Sequence, residues 1–230
     1  IIMFTFHLSG QTPEALAELW DKHHITTKQP SDVRHKDLLV YLEQLRKSGV
    51  KMAEAGRSVD GREIFQLEWG DGPIKVFLWS QMHGDEPTAT SALIDMFSIL
   101  QQHSGDEQIK RLKKAVSLRA VPMLNPDGAE IYIRRNAQGL DINRDALDLV
   151  SPEAQLLKRL RDEGSPEIGF NLHNQQERTT VGTTNRQAAI SLLVVYGDEA
   201  KTDTPGQLRN RRLASKMAAA LNKFIPGNIG

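Results

Sequence analysis

The chain has 230 residues, 39% hydrophobic and 25% charged, with 29 basic and 29 acidic side chains and no net charge. That size suits one large α/β domain or two small ones and allows a substantial apolar core. No run reaches the roughly 18 apolar residues of a membrane helix, and no basic face marks a nucleic-acid binder. With no cysteine, disulfides, thiolate metal sites and a cysteine nucleophile are excluded, while the redox compartment stays open.

The first residues, IIMFTFHLSGQ, read either as the end of a signal-peptide apolar region or as a short first strand. An exported protein, secreted or periplasmic, is the expectation that follows from the first alternative. Residues 12–23 and 32–47 read as helices; in the second, Val33, Leu38, Leu39, Leu42 and Leu45 give a partly helical spacing and Gly49 a stop. Residues 1–50 are therefore expected to form an N-terminal helical segment ahead of a larger domain over 51–230. GRSVDGREIFQLEWGDGPIKVFLW then predicts two strands joined at Gly-Asp-Gly-Pro, with a turn at Asp60-Gly61 before them. The nearly unbroken apolar run Ile74–Trp79 suits a strand covered on both faces.

Pro87 can open a helix, and apolar residues at 89, 92, 93, 96, 97 and 100 continue it. VSLRAVPML, 116–124, predicts a strand that Pro122 confines to an end or an edge, and NPDG, 125–128, a turn. Ser151, Pro152 and Gly164 delimit a helix as cap, first residue and stop. EIGFNLH and ISLLVVYG (190–197) predict further strands. Thr204-Pro205 starts a last helix with Leu213, Met217, Leu221 and Phe224 on one face. Strands alternating with helices predict a three-layer α/β/α sandwich around a mixed, largely parallel sheet.

Ligand sites in such sheets lie beyond the carboxyl ends of strands. The segment SQMHGDEPTAT places His83 there, followed by Asp85 and Glu86. Pro87 keeps Glu86 out of a helix, and Gly84 permits a tight turn, so the loop can aim His83 and Glu86 at one point. An imidazole and a carboxylate so aimed suit Zn²⁺, which takes three protein ligands and a water in catalytic sites. The competing view is a solvated histidine beside an acidic helix start. His173, at the end of FNLH, could complete a His-Glu-His set or simply hydrogen-bond a neighbouring loop. Asp85 reads as a turn residue or a partner of the ligands. RRNAQGLDINRD, 134–145, is either a polar surface loop or an anion-binding one, since guanidinium forks match carboxylates.

HGDE, NPDG, R-x-N-A-x-G-x-D-x-N-R and a later strand-end histidine, in that order, resemble the zinc metallocarboxypeptidases of the carboxypeptidase A/B and N/E groups. The resemblance covers about Gly56 to Tyr196. It implies that His83, Glu86 and His173 hold Zn²⁺. It also implies that Asn143 and Arg144 grip the free carboxylate of a peptide's C-terminus and that Arg134 stabilises the developing oxyanion, with Arg135 the fallback in that role. The implied partner is a peptide substrate, with neither nucleic acid nor a membrane span.

Two departures stand out. The family pattern N-R-N reads N-R-D here, putting Asp145 beside Arg144, where it could orient that arginine or signal an altered substrate. The family's general-base glutamate lies on a late strand, and residues 174–230 offer no counterpart: Glu177 is too close to His173, Glu199 sits in a polar loop, and Tyr196 comes too early to be a family tyrosine. The expectation is a domain truncated before its C-terminal strands, binding zinc but hydrolysing poorly. An aspartoacylase- or desuccinylase-like enzyme, a peptidoglycan-peptide amidase on the same scaffold, and a non-catalytic carboxylate-peptide binding module are the alternatives. His23, His24, His35 and His103 are expected to be solvated, and the RNRR run 209–212 to face water. No G-x-S-x-G elbow, P-loop or G-x-G-x-x-G is present.

Overall fold

The computed structural model describes residues 13–175, 178–196 and 198–230. The stretch IIMFTFHLSGQ and Glu177 therefore lie outside the described residues. The chain forms two compact units, one over 19–174 and one from 1–18 with 175–230.

The 19–174 unit is built on a five-stranded mixed sheet, order β1-β2-β4-β3-β5. The strands are β1 (Lys51–Arg57), β2 (Glu63–Trp69), β3 (Ile74–Ser80), β4 (Val116–Val121) and β5 (Ile168–Leu172). β1, β2 and β4 pair antiparallel, while β4, β3 and β5 run parallel. Helices α2 (His35–Lys47), α3 (Thr88–Gln102), α4 (Glu107–Ala115), α5 (Pro126–Glu130) and α6 (Pro152–Gly164) and a 3-10 turn (Pro30–Asp32) belong to the same unit, and α1 (Pro13–His23) precedes them in the chain.

Side-chain alternation along the strands divides the core between two faces. Leu67, Trp69, Leu78, Leu118 and Ala120 pack with Leu42, Leu45, Ile94 and Phe97 of α2 and α3. Ile64, Phe77, Trp79 and Val121 pack instead with Leu156 and Leu160 of α6. Helices thus cover both faces of an α/β sheet, as expected for a layered sandwich. Asp95 of α3, 3% exposed, ties the preceding loop down by accepting from the backbone N–H groups of Ile25 and Thr26 and from the Thr26 hydroxyl.

Several local expectations need correction. β1, KMAEAGR, has no apolar alternation and holds as a strand through its pairing with β2. α4, EQIKRLKKA, is too polar to announce itself and carries no buried residue. NPDG is a short helix, capped where Asn125 accepts from the Gly128 N–H at 2.9 Å. α6 runs through Gly164, and Ser165 takes the left-handed cap at φ +44°. His35 is not solvated: it is 7% exposed, with Nε2 2.9 Å from the Glu63 carbonyl oxygen.

In the second unit, α7 (Pro205–Leu221) carries the expected Thr204 cap, completed by Gln207. The strand expected over 190–197 does not form among its described residues. Ile190 makes a single bridge to Ile229, and 191–196 take no regular structure. A strand needs a ladder partner as well as an apolar pattern, and among the described residues only 228–230 supply backbone bonds here; Leu193 and Val195 stay 85% and 70% exposed.

Phe97 is fully buried between α3 and the sheet. Phe97→Ala is expected to cost about 3–5 kcal/mol through lost burial and the cavity left behind, read as a fall in the urea midpoint at unchanged slope.

Candidate metal centre

The centre is assembled at the carboxyl ends of β3 and β5. These strands are parallel neighbours in register through Ser80 and Leu172, so the residues that follow each emerge side by side. The chain turns sharply on leaving β3: Gln81 is left-handed at φ +49° although it is not glycine, and is 1% exposed. Its strained backbone is held from several sides. Its carbonyl accepts from Asn125 N–H, its side-chain oxygen from the Thr90 hydroxyl at 2.7 Å, and its amide donates to the Gly84 carbonyl at 2.9 Å. A Cβ on Gly84 would run into the Gly128 backbone, so the glycine of HGDE allows that loop to touch NPDG.

Three donor side chains result, His83, Glu86 and His173, whose ligand atoms all lie within 4.8 Å of one another. Glu86 Oε1 is 2.9 Å from His83 Nδ1, and Glu86 Oε2 is 2.6 Å from His173 Nδ1. The imidazole rings sit 4.8 Å apart. His83 is buried and His173 half-buried, so the cluster opens to solvent on one side.

Arg134 and Asp141 close the other side. Arg134 Nη1 donates to Glu86 Oε1 at 3.2 Å, and its Nε donates to Asp141 Oδ2 at 3.1 Å. Asp141 Oδ1 lies 3.0 Å from His83 Nε2 and accepts the Asn143 backbone N–H at 3.0 Å. Asp141 was not singled out from the sequence. The signal was present as the D of the D-x-N-R stretch, but only the fold shows that it faces the second nitrogen of His83.

The electrostatics follow from these contacts. Burial works to raise the Glu86 carboxyl, but hydrogen bonds from His173 and His83 outweigh it and hold the group at about 2. Burial works to lower His83, yet Glu86 and Asp141 on its two nitrogens raise it above the ordinary histidine value. For Asp141 burial is again opposed, by His83 and Arg134, and the net direction is down.

The remaining residues singled out from the sequence fall in different places. Arg135 turns back on its own loop and donates to the Gly139 carbonyl at 2.8 Å, so of the paired arginines Arg134 is the one at the centre. Asn143 Oδ1 accepts from the Asn171 side chain at 3.5 Å, which places it beside the β5 end. Arg144 is exposed, and none of the hydrogen bonds just described involves its guanidinium. Asp85 is half-buried and outside those bonds too. Asp145 does not orient Arg144: it is 6% exposed and accepts from the Val150 and Ser151 N–H groups and the Ser151 hydroxyl. Glu199 lies in an exposed turn of the other unit.

The donor set fits a catalytic-type zinc site: two imidazoles and a carboxylate, one histidine backed by Asp141 on its far nitrogen, and one side open. Comparison with known proteins agrees with that chemistry. The chain belongs to the zinc carboxypeptidase family, whose profile matches residues 35–225. It is similar to carboxypeptidase Z of Homo sapiens, 32% identical over 117 residues, covering 42% of this chain and 18% of that protein. It is also similar to the carboxypeptidase N catalytic chain of Homo sapiens, 29% identical over 140 residues, covering 50% of this chain and 31% of that one. A metallo-carboxypeptidase from Pseudomonas aeruginosa shares the fold, with TM-score 0.65 and 24% identity over 85% of this chain and 50% of its own. The chain therefore spans less than a third of those two human relatives. Membership places it among carboxypeptidase-like hydrolases of the zinc metalloprotease class. Among the described residues no helix is long and apolar enough to cross a membrane.

Burial works to raise Asp145, but the hydrogen bonds from Ser151 and Val150 depress it below its ordinary 3.8. A depressed carboxyl stabilises fully above its unfolded value and loses that contribution as pH falls through the folded one. Asp145→Asn is therefore expected to be destabilised at neutral pH, and its gap from the wild type to narrow as pH drops below 3.8, measured by urea unfolding across pH.

Proposed function

We propose that this chain carries the metal- and substrate-gripping half of a zinc carboxypeptidase site, acting on peptides with a free C-terminal carboxylate. The observation that supports this most directly is the His83–Glu86–His173 donor set at adjacent parallel strand ends. In this reading the three side chains hold Zn²⁺ and Asp141 fixes the ring of His83. Bound zinc would supply a Lewis acid and a water of lowered pKa.

The chain's own residues then divide the remaining tasks. Arg134, anchored on Asp141 and half-exposed, presents a fixed positive charge beside Glu86, where a polarised carbonyl oxygen would gather charge. Asn143 and the exposed Arg144 follow on the same loop and offer an amide and a guanidinium to a terminal carboxylate. Arg135, the fallback for the oxyanion role of Arg134, is bound to the Gly139 carbonyl. Among the described residues, the carboxylates hydrogen-bonded into the centre are Glu86 and Asp141. One is a ligand in this reading, and the other is taken up by His83 and Arg134. Neither is free to take a proton from water, and we infer that the described residues bind zinc with little hydrolysis. The same observation favours a second reading, a carboxylate-peptide binding module that retains the metal.

Elemental analysis of the purified chain tests the site. About one zinc per chain is expected from the His₂Glu set, lost in His83→Ala and in His173→Ala; a wild type that takes up no zinc on reconstitution sinks the reading. Asp141→Asn should retain the fold but weaken zinc binding roughly 10- to 100-fold in chelator competition. Arg144→Ala should leave zinc content unchanged and lower affinity for a peptide bearing a free C-terminal carboxylate relative to its amidated form. That comparison by calorimetry also separates substrate recognition from metal binding.

A further inference from the structure

Glu153 is a charged residue with no solvent exposure and no place in the chemistry described so far. It enters α6 two residues after the Ser151 cap. Its Oε1 accepts the Val59 backbone N–H and its Oε2 accepts the Asn136 side-chain amide, each at 3.1 Å. Burying a carboxylate in this way is costly without partners, and such groups are found where their hydrogen bonds fix something.

Asn136 shows what is fixed. It is 2% exposed, and its Oδ1 accepts the backbone N–H groups of Gln138 and Leu140 at 3.1 and 2.9 Å. Its own backbone N–H donates to the Leu140 carbonyl, and its carbonyl accepts from Gly139. The 136–140 loop is thus wound around one side chain. Arg134 lies two residues before that loop, and Asp141 follows it directly. Because two fixed N–H groups hold the Asn136 oxygen, its amide must face Glu153.

We propose that Glu153 is a positioning residue for the metal centre: through Asn136 it sets the 136–140 loop, and with it the placement of Asp141 against His83. The role in metal binding rests on the zinc reading above; the mechanical link from Glu153 to His83 does not. Glu153→Gln probes the link sharply. The new side chain can offer one oxygen, which the immovable Val59 N–H requires. Its amide then meets the Asn136 amide, donor against donor, and Asn136 cannot flip without abandoning Gln138 and Leu140.

The experiment reads the His83 ring-nitrogen resonances by NMR in metal-free, ¹⁵N-labelled protein. Asp141→Asn gives the reference displacement of His83 Nε2, and Leu160→Ala, a buried change on the same helix, gives the control for general loosening. Glu153→Gln is expected to move His83 Nε2 in the direction of Asp141→Asn, with Leu160→Ala leaving it in place; Asn136→Ala reads the same link if Glu153→Gln does not fold. Zinc affinity should fall roughly tenfold in step, as for other residues that orient a ligand. The proposal is overturned if His83 stays at its wild-type position in the Glu153 and Asn136 variants, if Asp141→Asn does not displace it, or if Leu160→Ala moves it as far. A wild type that binds no zinc would remove the metal reading, while the nitrogen shift would still decide the link.

Discussion

The parallel pairing of β3 with β5 is the constraint on which the centre depends. Ser80 lies opposite Leu172, so His173 leaves β5 one residue past the pair and His83 leaves β3 three residues past it. Side chains alternate faces along a strand, so a slip of one residue in this register would turn every β5 side chain to the other face. The pairing is secured on both sides of the sheet. Leu78 and Leu172 pack toward α2 and α3, while Phe77 and Trp79 pack toward α6. Two apolar cores that would each be ordinary thus jointly fix the separation of two imidazoles.

Within that frame the centre is a problem in charge balance. Glu86 and Asp141 bring two carboxylates to a partly buried place, and Arg134 brings one guanidinium that touches both. The balance left over favours cationic character on the imidazole between the carboxylates, which is the direction in which His83 is shifted. A divalent ion held by His83, Glu86 and His173 would answer the same demand, with Asp141 left to orient the His83 ring. The arrangement therefore suits a cation for reasons independent of any family likeness, and the likeness then names zinc.

Much of this was legible in the sequence, and the losses have physical causes. The apolar run of β3, the helical spacing of α3 and the Ser151-Pro152 and Thr204-Pro205 starts carry their structure in local chemistry. β1 and α4 do not, because pairing with β2 in one case and a largely polar helix in the other leave no apolar period to read. The 190–196 stretch fails in the opposite sense, with a strand's composition but no ladder. His83, Glu86 and His173 were nameable because metal-binding residue types at strand ends are conspicuous. Asp141 was not, since an aspartate in a polar loop has many uses, and only the close approach of the 134–145 loop to His83 selects this one. Asp145 shows the reverse error: adjacency to Arg144 in sequence suggested a partnership that the Ser151 cap takes instead.

The buried acids behind the centre bear on why its loops hold one shape. Asp127 accepts from the Ser58 hydroxyl, the Asp60 N–H and Arg62, while Glu153 accepts from Val59 N–H and Asn136, so both reach the same β1–β2 turn. Well-packed hydrophobic residues of similar volume would often stabilise such a place as well or better. They would not, however, distinguish one loop path from another nearby, because burial is indifferent to direction. Directional bonds from nearly solvent-free carboxylates do distinguish them, and the penalty for leaving any one unmade is large. A site whose ligands come from strand ends but whose orienting groups come from the 134–145 loop needs that discrimination at the loop. Glu153 lies where it can be applied, bonded both to the hairpin turn and to Asn136 of the loop that carries Arg134 and Asp141.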